Sequence, residues 1–278
     1  AGSGFSGWPF CNGDLVPGVN LNSIIEYTHR ALAMVVGFMI LTLFVMAWRR
    51  HRELLLPTGA LLVLVIAQGA LGGVTVEENL EEAYVAAHLG LAMLLLGLLL
   101  YLWRAVNRVR PDEGGPRLRA LSIVATGAVL CTIVAGGYMA GTQNYGRVDY
   151  QLGDGAHHAC GKEFPSCNGQ FMPFGDARLV DIHLTHRFFM YLASVLVIAL
   201  VVMALRRRVA MRYAWALAAL LAVQILVGAL NVWLAEYELL ILAHLALGTL
   251  LWAASLGMTL QLSPARERSP RRSEAVAA

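Results

Sequence analysis

Charge is what this chain has least of. Only 14% of its 278 residues are Asp, Glu, Lys or Arg, against 58% hydrophobic. An ordinary soluble domain carries about a quarter of its residues charged, so that class is excluded. Cysteine is also sparse, with four in all. The chain shows no close set of three or four Cys and His ligands of the kind a bare zinc or copper ion requires.

Long apolar runs take the place of charge. Seven stretches, 24–48, 58–76, 84–104, 118–140, 182–205, 211–234 and 239–262, approach the ~20 residues a helix needs to cross a bilayer. Backbone groups in lipid must be satisfied internally, so the expected class is all-α and transmembrane.

The arginines alternate with the spans. Arg49, Arg50 and Arg52 lie in one loop, Arg104, Arg108, Arg110, Arg117 and Arg119 in another, Arg206, Arg207, Arg208 and Arg212 in a third, and Arg266, Arg268, Arg271 and Arg272 in the tail. Sixteen of the 21 basic residues thus share one side. The positive-inside rule makes that side cytoplasmic. Residues 1–23, the acidic link Glu77 to Glu82 and the 141–181 loop are then outside, and the C-terminus is inside a multi-pass protein of the cell membrane. No nucleic-acid role is needed to explain the arginines.

Cys160 and Cys167 share the outer loop, where an oxidising compartment permits a disulfide; free or metal-binding thiols are the alternative. Cys11 has no neighbour in its own loop, and Cys131 reads as a buried small apolar residue within a span.

The chain also repeats itself. Trp8-Pro9-Phe10-Cys11-Asn12-Gly13 returns as Phe164-Pro165-Ser166-Cys167-Asn168-Gly169, and the same shift carries Gln68 onto Gln224, Gly72 onto Gly228, Val76 onto Val232 and His88 onto His244. His29 maps onto His186 with one residue more. This is an internal duplication whose halves run in the same direction, a parallel repeat about an axis along the membrane normal. Span 118–140 has no counterpart before Ala1, so a helix is expected to precede this sequence, giving eight spans in two four-helix bundles. The expected division is an N-terminal half at 1–110, a linker at 111–117 rich in turn residues, a C-terminal half at 118–262, and a disordered cytoplasmic tail at 263–278.

Intramembrane ionisable residues are rare and usually functional. Four histidines, His29, His88, His186 and His244, recur in equivalent pairs, each four or five residues inside the outer end of its span. At about 1.5 Å per residue each is roughly 6–8 Å deep, so each pair can meet across its own bundle. Two facing imidazoles suit the axial positions of a haem iron. Gly69, Gly72, Gly73 and Gly228 would admit a flat macrocycle, or are plain packing positions. Arg30 and Arg187 follow the ligands, placed either to pair with haem propionates or to snorkel to headgroups. His183 reads as a propionate or loop partner, and His51, His157 and His158 as solvated.

The halves differ one turn before the first ligand. Glu26 precedes His29 by three residues, where the other half has His183 before His186. A carboxyl three residues from a ligand shares its helix face and can exchange protons with whatever is bound there, or can make a structural hydrogen bond.

Together, the Trp-Pro-Phe-Cys-Asn-Gly loop, Glu26-Tyr27-Thr28-His29-Arg30, and the Gln68 to Val76 segment followed by His88 resemble the haem A synthases over essentially all of 1–262. The resemblance implies an eight-helix membrane oxidoreductase that converts a methyl group of haem O to the formyl group of haem A by successive hydroxylations. It implies His186 and His244, with Arg187, on a resident haem b. His29 and His88, with Arg30, would hold substrate haem O beside the catalytic Glu26. A haem O synthase is the implied supplier, the electron-transfer partner is unidentified, and a homo-oligomer is left open. Many family members carry a cysteine pair in each outer loop; here the first loop has only Cys11, which excludes a disulfide within it. The alternative class is a non-catalytic di-haem b cytochrome that takes electrons from a quinol, for which an acid in one half only has no clear use.

Overall fold

The computed structural model describes residues 21–78, 80–142, 155–234 and 238–262. Cys11 with the rest of 1–20, and the tail from 263, lie outside the described residues, as does the side chain of Glu26.

Every apolar run is a helix: α1 Leu21–Arg50, α2 Leu55–Glu77, α3 Glu82–Val106, α4 Gly115–Gly141, α5 Arg178–Arg207, α6 Met211–Trp233 and α7 Glu238–Gln261. Among the described residues there are seven helices long and apolar enough to cross a membrane. The chain is an all-α, multi-pass membrane protein. Large apolar side chains such as Leu56, Phe38 and Val63 are exposed on the helix surfaces, as lipid contact requires. Cys131 is exposed as well, so it belongs to that surface and not to the interior.

Helices α4 to α7 close a ring in which each touches the next and α4 returns to α7. Leu118, Val197, Leu200, Leu217 and Met258 fill its centre and are wholly buried. Helices α1 to α3 form a row, with a smaller core of Ile40, Leu61 and Leu102. Helix α3 joins the row to the ring by packing on both α4 and α7. Part of that joint is backbone against backbone. A Cβ on Gly141 would stand 2.4 Å from Glu82 Cα, and one on Gly137 would stand 3.3 Å from Ala86 Cα, so these close approaches require residues without side chains.

The two ends of the bundle are tied differently. At the arginine-rich end, Asp112 accepts from the Ala210 N–H at 3.0 Å and from Gln261 Nε2 at 2.9 Å, while Arg207 donates to the Gly114 carbonyl at 3.0 Å. These bonds pin the 111–117 segment against the ends of α5 and α7. At the opposite end Arg178 is ion-paired with Glu82. The loop before α5 is closed there by the Cys160–Cys167 disulfide, both sulfurs buried.

Helices α1 and α5 have 30 residues each. At 1.5 Å per residue that is about 45 Å, some 15 Å more than a hydrocarbon core. Counting back about 20 residues from Arg50 and Arg206 places the far boundary near Arg30 and Arg187. The first turns of both helices therefore rise out of the hydrocarbon, and His29 and His186 lie at its rim.

Candidate functional site

The ring of α4 to α7 brings His186 and His244 together. Their ring centroids are 6.5 Å apart with planes at 73°. Helix α5 delivers His186 one turn below its loop contacts, and α7 delivers His244 on its second turn.

Each imidazole rests on a neighbouring helix. His186 Nδ1 donates to the Thr132 carbonyl of α4 at 3.0 Å, and a Cβ on Gly136, one turn along, would stand 3.0 Å from His186 Cε1. His244 faces Gln224 of α6: the amide Nε2 is 3.4 Å from His244 Nε2 and donates to the His244 carbonyl at 3.1 Å. A Cβ on Gly228 would stand 2.9 Å from His244 Cε1.

The row of α1 to α3 repeats the second arrangement. Gln68 Nε2 is 3.2 Å from His88 Nε2 and donates to the His88 carbonyl at 3.0 Å, and a Cβ on Gly72 would stand 3.0 Å from His88 Cε1. His29 lies within electrostatic range of His88 and is itself exposed. Glu26 is in α1, three residues before His29.

The loop before α5 lies over the His186 and His244 pair. Arg187 is buried and donates to three of its carbonyls, Glu163 at 2.7 Å, Ser166 at 2.8 Å and Pro165 at 3.3 Å. Its guanidinium also lies 5.4 Å from the Phe164 ring centroid. In this structure the Arg187 fork is thus turned to the loop and not towards the histidines. His183 donates from Nδ1 to the Ala156 carbonyl at 2.7 Å, the loop partnership expected of it. His157 is not solvated as expected: it is half-buried in the loop, and desolvation, followed by the nearby His183, His186, His158 and His244, lowers its pKa to about 3.

The residues fit a haem held by two axial imidazoles. A metal–imidazole bond of about 2.0–2.1 Å, with the bonding nitrogen about 1.1 Å from its ring centre, puts two imidazoles on one iron roughly 6.2 Å apart between centroids. The observed 6.5 Å matches. The Thr132 carbonyl holds the His186 proton on Nδ1 and so leaves Nε2 as the unprotonated nitrogen a metal needs. His88 Nδ1 and His244 Nδ1 are buried without a hydrogen-bond partner in the protein. Among the described residues there is no cluster of three or more His, Cys, Asp or Glu that would suit a bare metal ion.

Two contributors escape a reading of side-chain types. The Thr132 acceptor is a backbone carbonyl, and Gly136 belongs to α4, which has no counterpart among the described residues of the first half. Gln68 and Gln224 are visible as repeated residues, but only the fold brings each against its histidine.

Residues 16–256 match the family model described as cytochrome oxidase assembly protein. Among similar proteins, a "Heme A synthase" of Halalkalibacterium halodurans is 30% identical over 211 residues, covering 71% of this chain and 63% of its own. One of Shouchella clausii is 26% identical over 69% of this chain and 63% of its own length, and one of Alkalihalophilus pseudofirmus is 31% identical over 65% and 59%. The chain thus spans about three fifths of the length of these curated relatives. With the matched segment running from before α1 almost to the end of α7, the chain belongs to the cytochrome oxidase assembly protein family.

Proposed function

We propose that this chain carries out the haem A synthase reaction, oxidising a methyl group of haem O to the formyl group of haem A. The observation that carries this reading is the pair of imidazoles on α5 and α7 at the separation one iron requires, with its α6 seat repeated on α2 beside His88. Each of two hydroxylations inserts one oxygen atom, drawn from water with two electrons and two protons released to an external electron acceptor, or from dioxygen whose second atom is reduced to water by an external donor; the resulting gem-diol loses water without further redox change.

His186 and His244 hold a resident haem b, which supplies one-electron redox chemistry when bound. Thr132 keeps His186 in its ligating tautomer, and the disulfide loop clamped by Arg187 keeps bulk water off that end of the bundle. His29 and His88 hold the substrate haem O, with Arg30 at the rim beside them. Glu26 shares the helix face of His29 and gives or accepts the protons that the carbon chemistry moves. Residues 1–110 form the substrate half, 111–117 the linker and 118–262 the resident-cofactor half. The arginine-rich end faces the cytoplasm and the disulfide loop the outer side of the cell membrane. A haem O synthase supplies the substrate.

Pigments extracted from the purified protein and identified by mass spectrometry test the proposal. Haem O or haem A is expected beside haem b. Glu26→Ala should keep haem b and lose haem A, whereas unchanged haem A would remove Glu26 from the chemistry. His186→Ala or His244→Ala should deplete haem b, and His29→Ala or His88→Ala should deplete the haem O and haem A fraction. Haem b alone in every preparation would sink the enzyme reading in favour of an electron carrier.

A further inference from the structure

Two glutamines have no place in the chemistry above, yet they occupy the same position in both halves. Gln68 precedes Gly72 by four residues and His88 by 20; Gln224 stands in the same relation to Gly228 and His244. The three distances that define the arrangement are 3.2, 3.0 and 3.0 Å in the first half and 3.4, 3.1 and 2.9 Å in the second, for amide to Nε2, amide to carbonyl, and glycine Cβ to Cε1. Two pieces of chain with largely different side chains thus keep one local geometry to within 0.2 Å.

We infer that Gln68 and Gln224 are positioning residues for the axial histidines of α3 and α7. This rests on the proposed haem ligation. A glutamine and a glycine four apart lie on one face of α2 or α6. They make a seat with two points of contact: the amide at one edge of the imidazole and the bare glycine backbone at the other. The amide's shorter bond is to the carbonyl of the histidine itself, which ties the seat to the ligand's own backbone. At 3.2–3.4 Å the same amide also donates a long hydrogen bond to the Nε2 lone pair, one that yields to iron while the shorter bond to the carbonyl stays. An N–H directed at that edge also favours the tautomer in which Nε2 carries no proton. His186 has a seat of the same form on α4, where Thr132 supplies the polar contact and Gly136, four residues on, the bare backbone.

The seat sets two quantities that can be read without turnover, the orientation of the α7 imidazole about its bond to iron and the tenacity of the resident haem. Gln224→Met keeps length and flexibility and removes the donor. It should shift the low-spin electron paramagnetic resonance signal of the resident haem and speed its transfer to an excess acceptor protein by roughly 10–100-fold, the range seen when groups supporting a metal ligand are removed. Gly228→Ala keeps the amide and pushes on Cε1 from the other side, and should move the same signal. Gln68→Met should leave the resident signal where it is and weaken only haem held by the first half.

An unmoved signal and unchanged haem transfer in both Gln224→Met and Gly228→Ala would overturn the inference. So would a Gln224→Met protein whose only change is a lower unfolding temperature when stripped of haem, because that is mere helix packing. Wild-type protein that takes up no haem at all would instead refute the underlying ligation.

Discussion

Replacing Arg187 separates two uses of one side chain. In the fold, its guanidinium makes two strong bonds to loop carbonyls, at 2.7 and 2.8 Å, a longer one at 3.3 Å, and a contact with the Phe164 ring. A hydrogen bond from a charged donor contributes about 1.5–3 kcal/mol, so losing the two short ones in Arg187→Ala should cost roughly 3–6 kcal/mol of loop closure. At about 1.4 kcal/mol per factor of ten, the loop should open roughly two to four orders of magnitude more often. Hydrogen exchange read by mass spectrometry reports this directly as lost protection over 155–175. Trypsin gives a second readout, since Lys162 is exposed within the disulfide ring. If Arg187→Ala released resident haem while loop protection stayed at the wild-type level, the clamp would be refuted and a role on the haem propionates favoured.

Two other perturbations test the packing around the site. His157 is held neutral in the fold, with a pKa lowered to about 3 against about 6.5 when unfolded. The unfolded chain therefore binds more protons between those values, so stability is full above about pH 6.5 and falls as pH drops towards 3. His157→Gln should flatten that slope in thermal unfolding measured from pH 7 to pH 4; an unchanged slope would mean other groups set it. Gly141→Ala places a methyl group 2.4 Å from Glu82 Cα and should destabilise the α3–α4 joint by about 1–3 kcal/mol, seen as a lower unfolding temperature.

The spans were legible because hydropathy reports the thickness of the hydrocarbon. It stops where lipid stops, which is why helix ends extend beyond the runs: α5 begins at Arg178, four residues before the apolar stretch, and α1 runs on to Arg50. Backbone hydrogen bonding continues into the headgroups after apolar composition has ended. The His186–His244 pair was legible as repeated ionisable residues in a setting where such residues are costly, and the Cys160–Cys167 bond as two cysteines in one loop. The seats under the imidazoles were not, because a carbonyl such as that of Thr132 leaves no trace in residue type, and a glycine facing a ligand reads like any other helix-packing glycine. The loop carbonyls that Arg187 meets were illegible for a related reason: its guanidinium reads as a partner for haem propionates or headgroups, and the path of the loop leaves no trace in residue type. His157 looked solvated because it lies in an outer loop, whereas its neighbours in space are the ends of α5 and α7.

Under the proposed function, the duplication locates where the two halves differ in task. The lower level, where α2 or α6 seats a histidine of α3 or α7, is held to within 0.2 Å. One turn above the first ligand the halves diverge: α5 carries His183, bonded to the loop through Ala156, while α1 carries Glu26. A chain needing only two equal ligand sites has no reason to change that position. Under the proposed function, a histidine held by the loop suits the half that keeps a cofactor, and a carboxyl suits the half that moves protons. Exchanging the two residues tests this division. Glu26→His should abolish haem A formation without loss of resident haem, and His183→Glu should loosen the loop without creating activity in the second half. Product from a Glu26→His, His183→Glu double variant would show that the roles of the halves are set elsewhere.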